Sequence, residues 1–123
     1  GQIAAQFKVI SSLASNLVVQ ANDRNFASAL ISLDPEALEN FAQSKGLSGD
    51  FETLSQSPEV REALQADIDE LNSQLNRWET IKKFTILPRD LSEEKGELTA
   101  SLKVKRNVVE ENFRDLIEAM YAG

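Results

Sequence analysis

Leu17-Val18-Val19-Gln20-Ala21, Asn22-Asp23-Arg24-Asn25 and Phe26-Ala27-Ser28-Ala29-Leu30-Ile31-Ser32-Leu33, closed by Asp34-Pro35, form the stretch that decides the fold. Two β-rich runs flank four residues whose Asn and Asp members tolerate left-handed turn conformations, so the stretch predicts a β-hairpin. Asp34-Pro35 then starts a helix. The Asp side chain can accept from free amides of the first turn, and proline takes a position whose N–H would go unpaired anyway. The spacing predicts that helix over 35–45, stopped by Gly46.

Upstream, Ile3, Phe7 and Ile10 have helical spacing and predict a short helix over 2–11. Downstream, residues 46–57 are rich in Gly, Ser, Asp and Thr and read as a loop pinned by Phe51 and Leu54. Ser57-Pro58 repeats the cap-and-proline start. Val60, Leu64, Ile68, Leu71, Leu75 and Trp78 alternate steps of four and three, which predicts one apolar stripe on a helix of roughly five turns. Asp67, Asp69 and Glu70 on its other side read as a solvated acidic face rather than a metal cluster. No histidine accompanies them, and adjacent helical residues diverge around the axis.

Residues 82–87 predict a third strand, entered at Lys82-Lys83 and ended by Pro88. Asn107-Val108-Val109-Glu110 fits a capping box. Val109, Phe113, Leu116, Ile117 and Met120 would be the buried face of a final helix. The expected architecture is α+β, a small antiparallel sheet made of the hairpin plus the third strand and packed with helices.

The chain has 123 residues, the size of one domain, and buries enough surface to need neither disulfides nor a metal. With 20 acidic against 13 basic residues its formal charge is −7, a poor footprint for non-specific nucleic-acid binding. The basic residues nonetheless concentrate between Arg77 and Arg106, which is compatible with a local phosphate site. Cysteine and histidine are both absent. That removes a thiolate nucleophile, a Cys-based zinc site and the commonest general base, leaving Lys, Arg, carboxylates or backbone for any chemistry. No apolar run reaches the ~18 residues of a membrane span, and the start lacks a signal peptide's charged and apolar regions. The expected location is cytoplasmic.

Between Pro88 and Asn107 lies the one long segment whose composition does not simply build core. Asp90, Ser92, Glu93, Glu94, Lys95 and Gly96 favour an exposed turn. Beyond the glycine, Leu98, Leu102 and Val104 can anchor the backbone while Lys103, Lys105 and Arg106 point elsewhere. Residue chemistry alone is satisfied if these cations solubilise a loop. A lysine there could also pair with both a carboxylate and a phosphate.

Gly96, Leu98, Thr99, Ser101, Lys103 and Arg106, followed by Ile117 and Tyr121, match the closing segment of AMP-forming long-chain fatty-acid–CoA ligases. The chain thus resembles the C-terminal end of these members of the adenylate-forming superfamily. The hairpin containing Ala29-Leu30-Ile31 and the Phe84 to Leu87 strand fall in the expected order, so the similarity covers nearly the whole sequence. One departure is Ala100, where the family usually has proline.

The resemblance implies a single C-terminal lid domain, residues 1–123, beginning just after the hinge of a larger enzyme whose N-terminal AMP-binding domain and acyl tunnel lie elsewhere. It implies that Lys103 is the catalytic lysine, bridging a fatty-acid carboxylate and the α-phosphate of ATP during acyl-adenylate formation. The domain then rotates for thioester formation with CoA. Thr99, Ser101 and Arg106 are the implied cofactor-binding residues, with no metal ligand in this chain. ATP, CoA and Mg2+ are expected of the full-length enzyme and none of the fragment, which should be inactive alone. The whole enzyme could associate peripherally with membranes. The competing readings are an autonomous α+β interaction module docking through its long helix, and the lid of another adenylate-forming enzyme.

Overall fold

The computed structural model describes residues 2–122. Helix α1 (Gln2–Ile10) leads into β1 (Ala14–Gln20) and β2 (Ala27–Leu33), followed by α2 (Pro35–Lys45), α3 (Phe51–Ser55) and α4 (Pro58–Ser73). A 3₁₀ turn (Arg77–Glu79) then precedes β3 (Ile81–Ile86), and α5 (Arg106–Asn112) and α6 (Arg114–Tyr121) close the chain.

The hairpin forms as expected, with Val18 opposite Leu30 in antiparallel register. Asp23 occupies the left-handed region at φ 58° within its turn. Asp34 caps α2 by accepting from the Ala37 N–H at 2.9 Å. Gly46, at φ 69°, ends the helix while the Leu47 and Gly46 amides return to the carbonyls of Ala42 and Gln43. This pattern satisfies two of the carbonyls that a helix end leaves free. Ser57 caps α4 through the Val60 N–H as its sequence predicts.

The third strand corrects the antiparallel expectation. The sheet order is β1-β2-β3, and β3 runs parallel to β2, with Ala29 opposite Phe84 and Ile31 opposite Ile86. Three helices occupy the connection, and such a crossover carries the chain back to the end of the sheet where β2 began, so the next strand must run the same way. Central β2 is buried along its whole length.

Side-chain alternation in the strands divides the interior in two. Leu17, Ala29, Ile31, Leu33, Phe84 and Ile86 pack with Phe7 of α1, Leu38 of α2 and Val60, Leu64, Ile68 and Leu71 of α4. Val18 and Leu30 meet Val109, Phe113, Ile117 and Met120 on the opposite face. The α4 stripe is therefore consumed by the core, which leaves no exposed apolar stripe on the long helix for docking.

Three local expectations fail for identifiable reasons. Residues 51–55 are helical rather than loop, because Asp50 accepts from the Thr53 N–H at 2.8 Å and caps a short turn. Trp78 does not extend the α4 stripe and is 81% exposed. Helix α4 ends at Ser73, where the Asn72 amide grips the N–H and C=O of Ile81 at 2.8 and 3.0 Å and starts β3 instead. Asn107 is not a cap: α5 begins at Arg106 with no side-chain cap at Lys105. The Lys105 N–H is instead donated to the Glu97 carbonyl at 2.8 Å, so the preceding loop sets where the helix starts.

Candidate functional site

Between β3 and α5 the chain folds a small hairpin that displays Lys103. Leu98 and Val104 form an isolated antiparallel bridge, and both side chains pack on the core beneath α5 and α6. Above them the Thr99 N–H donates to the Lys103 carbonyl at 2.8 Å, and the Leu102 N–H donates to the Thr99 carbonyl at 2.8 Å. Ser101 has no positive φ whereas Leu102 sits at φ 66°, which identifies a type I turn followed by a left-handed residue. Glycine ordinarily fills that last position, because a β-carbon there crowds the backbone and costs about 1 kcal/mol. Here it is a leucine, 67% exposed.

The Lys103 side chain emerges into solvent and has no ion-pair partner among the described residues. Thr99 and Ser101 are occupied locally: the Thr99 hydroxyl accepts from the Lys103 N–H at 3.0 Å, and the two hydroxyls lie 3.1 Å apart. They shape the turn that holds the lysine. Arg106 donates to the Val19 carbonyl and to Glu110 at 3.2 Å, so it ties α5 to the edge of β1. Lys103 and Arg106 nevertheless line one groove of about 830 Å³ with Lys8, Asn16, Leu75 and Leu102. Of the four site residues read from the sequence, only Lys103 presents a charge that nothing within the described residues engages.

A residue missed in the sequence lies at the base of this hairpin. Glu97 is 0% exposed. Its carboxylate accepts from Arg89 through two bonds of 2.9 and 2.7 Å, from the Asn112 amide at 2.8 Å and from the Ser92 N–H at 3.1 Å. Burial pushes the Glu97 pKa upward, and the Arg89, Asn112 and Ser92 bonds overcome that push and hold it below the ordinary glutamate value. Arg89 lies over the Phe113 ring, 4.8 Å from its centroid, at the junction of α5 and α6. Spacing gave no signal for Glu97, since its partners are 8, 5 and 15 residues away in both directions.

The acidic residues of α4 do not converge on a cation. Asp69 and Glu70 are exposed and Asp67 is half-buried. Among the described residues no three acidic side chains come together in a way that could hold a metal ion.

The sequence matches the AMP-binding enzyme C-terminal domain over residues 6–123. The chain belongs to this family. It is 40% identical over 111 residues to the long-chain-fatty-acid–CoA ligase FadD15 of Mycobacterium tuberculosis, a match covering 89% of this chain and 18% of that protein. It is 35% identical over 99 residues to the peroxisomal long chain acyl-CoA synthetase 7 of Arabidopsis thaliana, covering 76% and 14%. Similarity to the long-chain-fatty-acid–CoA ligase 5 of Rattus norvegicus is 33% over 100 residues, covering 80% and 15%.

Among solved structures, the adenylation domain of a Mycobacterium chelonae carboxylate reductase superposes with a TM-score of 0.67 at 25% identity, covering 99% of this chain and 17% of that one. The adenylation and carrier didomain of the Segniliparus rugosus carboxylic acid reductase shares the fold, with a TM-score of 0.70 at 23% identity over 98% of this chain and 15% of its own. This chain is thus a C-terminal domain of the adenylate-forming enzymes, spanning less than a fifth of the relatives it matches.

Proposed function

We propose that this chain is the mobile lid of a long-chain fatty-acid–CoA ligase, preceded in the same polypeptide by an AMP-binding domain. The observation that carries this reading is the exposed Lys103 ammonium on a hydrogen-bonded turn, unpaired among the described residues. An ammonium held this way keeps its charge for partners outside the domain, at the cost of little stability within it.

In the first half-reaction the fatty-acid carboxylate attacks the α-phosphate of ATP, forming an acyl–O–P bond as pyrophosphate leaves. Lys103 would lie between the two anions, lowering their repulsion on approach and stabilising the charge that builds on the phosphate oxygens. In the second, the CoA thiol attacks the acyl-adenylate and AMP leaves. Lys103 has no task there, so the lid rotates it away. A Mg2+ ion accompanying ATP would neutralise charge on its phosphates; the described residues bring no group of three or more acidic side chains together to hold one. Thr99, Ser101 and Arg106 would contact the nucleotide from this segment, Thr99 and Ser101 while shaping the turn and Arg106 while tying α5 to the edge of β1.

Similarity to carboxylate reductase adenylation domains favours a second reading, in which the same adenylation is followed by transfer to another acceptor. Acyl-CoA formation from palmitate, ATP and CoA by the full-length polypeptide tests the ligase reading. Turnover is expected with the complete chain and none with the 123-residue domain alone. CoA-independent consumption of the adenylate would favour the second reading, and turnover by the domain alone would refute the lid.

A further inference from the structure

We infer that Glu97 is the positioning residue for Lys103, fixing the catalytic hairpin to the body of the domain through the Arg89–Glu97–Asn112 cluster. The inference rests on the lid reading and adds to it a residue that never touches substrate.

Glu97 acts at both ends of its own structure. Its side chain joins three separated segments: the exit of β3 through Arg89, the loop through Ser92 and the last turn of α5 through Asn112. Its carbonyl accepts the Lys105 N–H and closes the hairpin. From that bond the pairing runs without a slip through Leu98 and Val104 to Thr99 and Lys103. Moving Glu97 therefore moves the strand that carries Lys103. Gly96 precedes it at φ 75°, a turn that aims the glutamate inward.

Besides the Glu97 N–H, which donates to the Ser92 carbonyl at 3.0 Å, the hairpin is held by Leu98 and Val104, both only partly buried. Apolar contacts of that kind hold a segment down without fixing its angle. A carboxylate with four donors in set directions does fix it, and a planar guanidinium bound through two parallel bonds adds the geometric constraint. Glutamine at position 97 would keep the volume but turn an NH2 toward donors of Arg89, Asn112 or Ser92. The cluster would open while the core on the other side of the sheet stayed intact.

The test uses the full-length polypeptide and measures each half-reaction separately in Glu97→Gln, Asn112→Ala and Lys103→Ala. Misplacing a catalytic group by about 1 Å costs on the order of a hundredfold. Glu97→Gln should lower kcat for adenylation by about ten- to a hundredfold, leaving KM for ATP and thioester formation from preformed acyl-adenylate within about twofold. Asn112→Ala removes one donor and keeps the Arg89 pair, so it should show the same asymmetry at about threefold. It also decides the matter if Glu97→Gln does not fold. Equal slowing of both half-reactions would reduce Glu97 to a structural role. Wild-type adenylation in folded Glu97→Gln, or in Asn112→Ala where Glu97→Gln fails to fold, would overturn the inference. Lys103→Ala separates the two claims: if it adenylates normally the lid reading itself fails, whereas if it alone is defective only the role of Glu97 falls.

Discussion

Replacing Tyr121 with phenylalanine removes one oxygen from the junction between the hairpin and α6. The Tyr121 hydroxyl lies 2.7 Å from the Ser28 hydroxyl, 2.9 Å from the Phe26 carbonyl and 3.1 Å from the Gln20 carbonyl. A consistent arrangement has Ser28 donating to Tyr121 and Tyr121 donating to a carbonyl. The ring also stacks on Phe26 at 4.6 Å and lies 4.4 Å from the Arg24 guanidinium carbon. Phenylalanine preserves both ring contacts, so the substitution isolates the hydroxyl.

Ser28 is 0% exposed, and without Tyr121 its proton is stranded away from water. A lost hydrogen bond costs about 1 kcal/mol and a stranded buried hydroxyl about another 1–3, so the loss should be about 2–4 kcal/mol. Unfolding entropy for a domain of this size converts each kcal/mol into ~4 °C, which gives a fall in Tm of about 8–16 °C. Urea and thermal unfolding of the chain followed by circular dichroism would measure both. In a Ser28→Ala background the stranded group is gone, and the Tyr121→Phe cost should drop to about 1 kcal/mol. A cost below ~0.5 kcal/mol, or an equal cost in both backgrounds, would refute the account of this junction.

Ala100 occupies the second position of the Thr99–Leu102 turn, where proline's fixed φ is favourable. Ala100→Pro should therefore raise unfolding free energy by about 0.4–1 kcal/mol in urea titrations. Asp67 has its pKa raised, first by burial and further by Glu70, against an opposing bond from Ser11. A folded pKa above the unfolded value means that the ionised form opposes folding, so Asp67→Asn should raise Tm at pH 7. The gain should vanish below the ordinary aspartate value of 3.8, where the group is protonated in both states. A constant gain across pH would assign it to something other than ionisation.

Legibility in the sequence followed the range of the interactions. The caps at Asp34 and Ser57 and the stop at Gly46 depend on contacts within five residues, and they could be read directly. The α4 stripe was legible as far as Leu71, since periodicity encodes which face is buried. It could not say that Asn72 would grip Ile81 and leave Trp78 outside. The direction of β3 follows from the path of its crossover, which no property of Ile81–Ile86 records. Lys103 was singled out through its motif, and its exposed turn follows from the local Thr99 bonds, whereas Glu97 stood among Glu93, Glu94 and Lys95 as one more loop charge. Only the convergence of Arg89, Ser92 and Asn112 distinguishes it.

The central claim, that Lys103 serves adenylation and then withdraws, is tested most directly by the two half-reactions of Lys103→Ala in the full-length polypeptide. Removing a preorganised cation from the reacting phosphate should slow adenylation by about a hundredfold to a thousandfold, or roughly 3–4 kcal/mol. Thioester formation from preformed acyl-adenylate should stay close to wild type, with Lys105→Ala near wild type in both. Equal slowing of the two half-reactions by Lys103→Ala, or an adenylation defect reproduced by Lys105→Ala alone, would contradict the account.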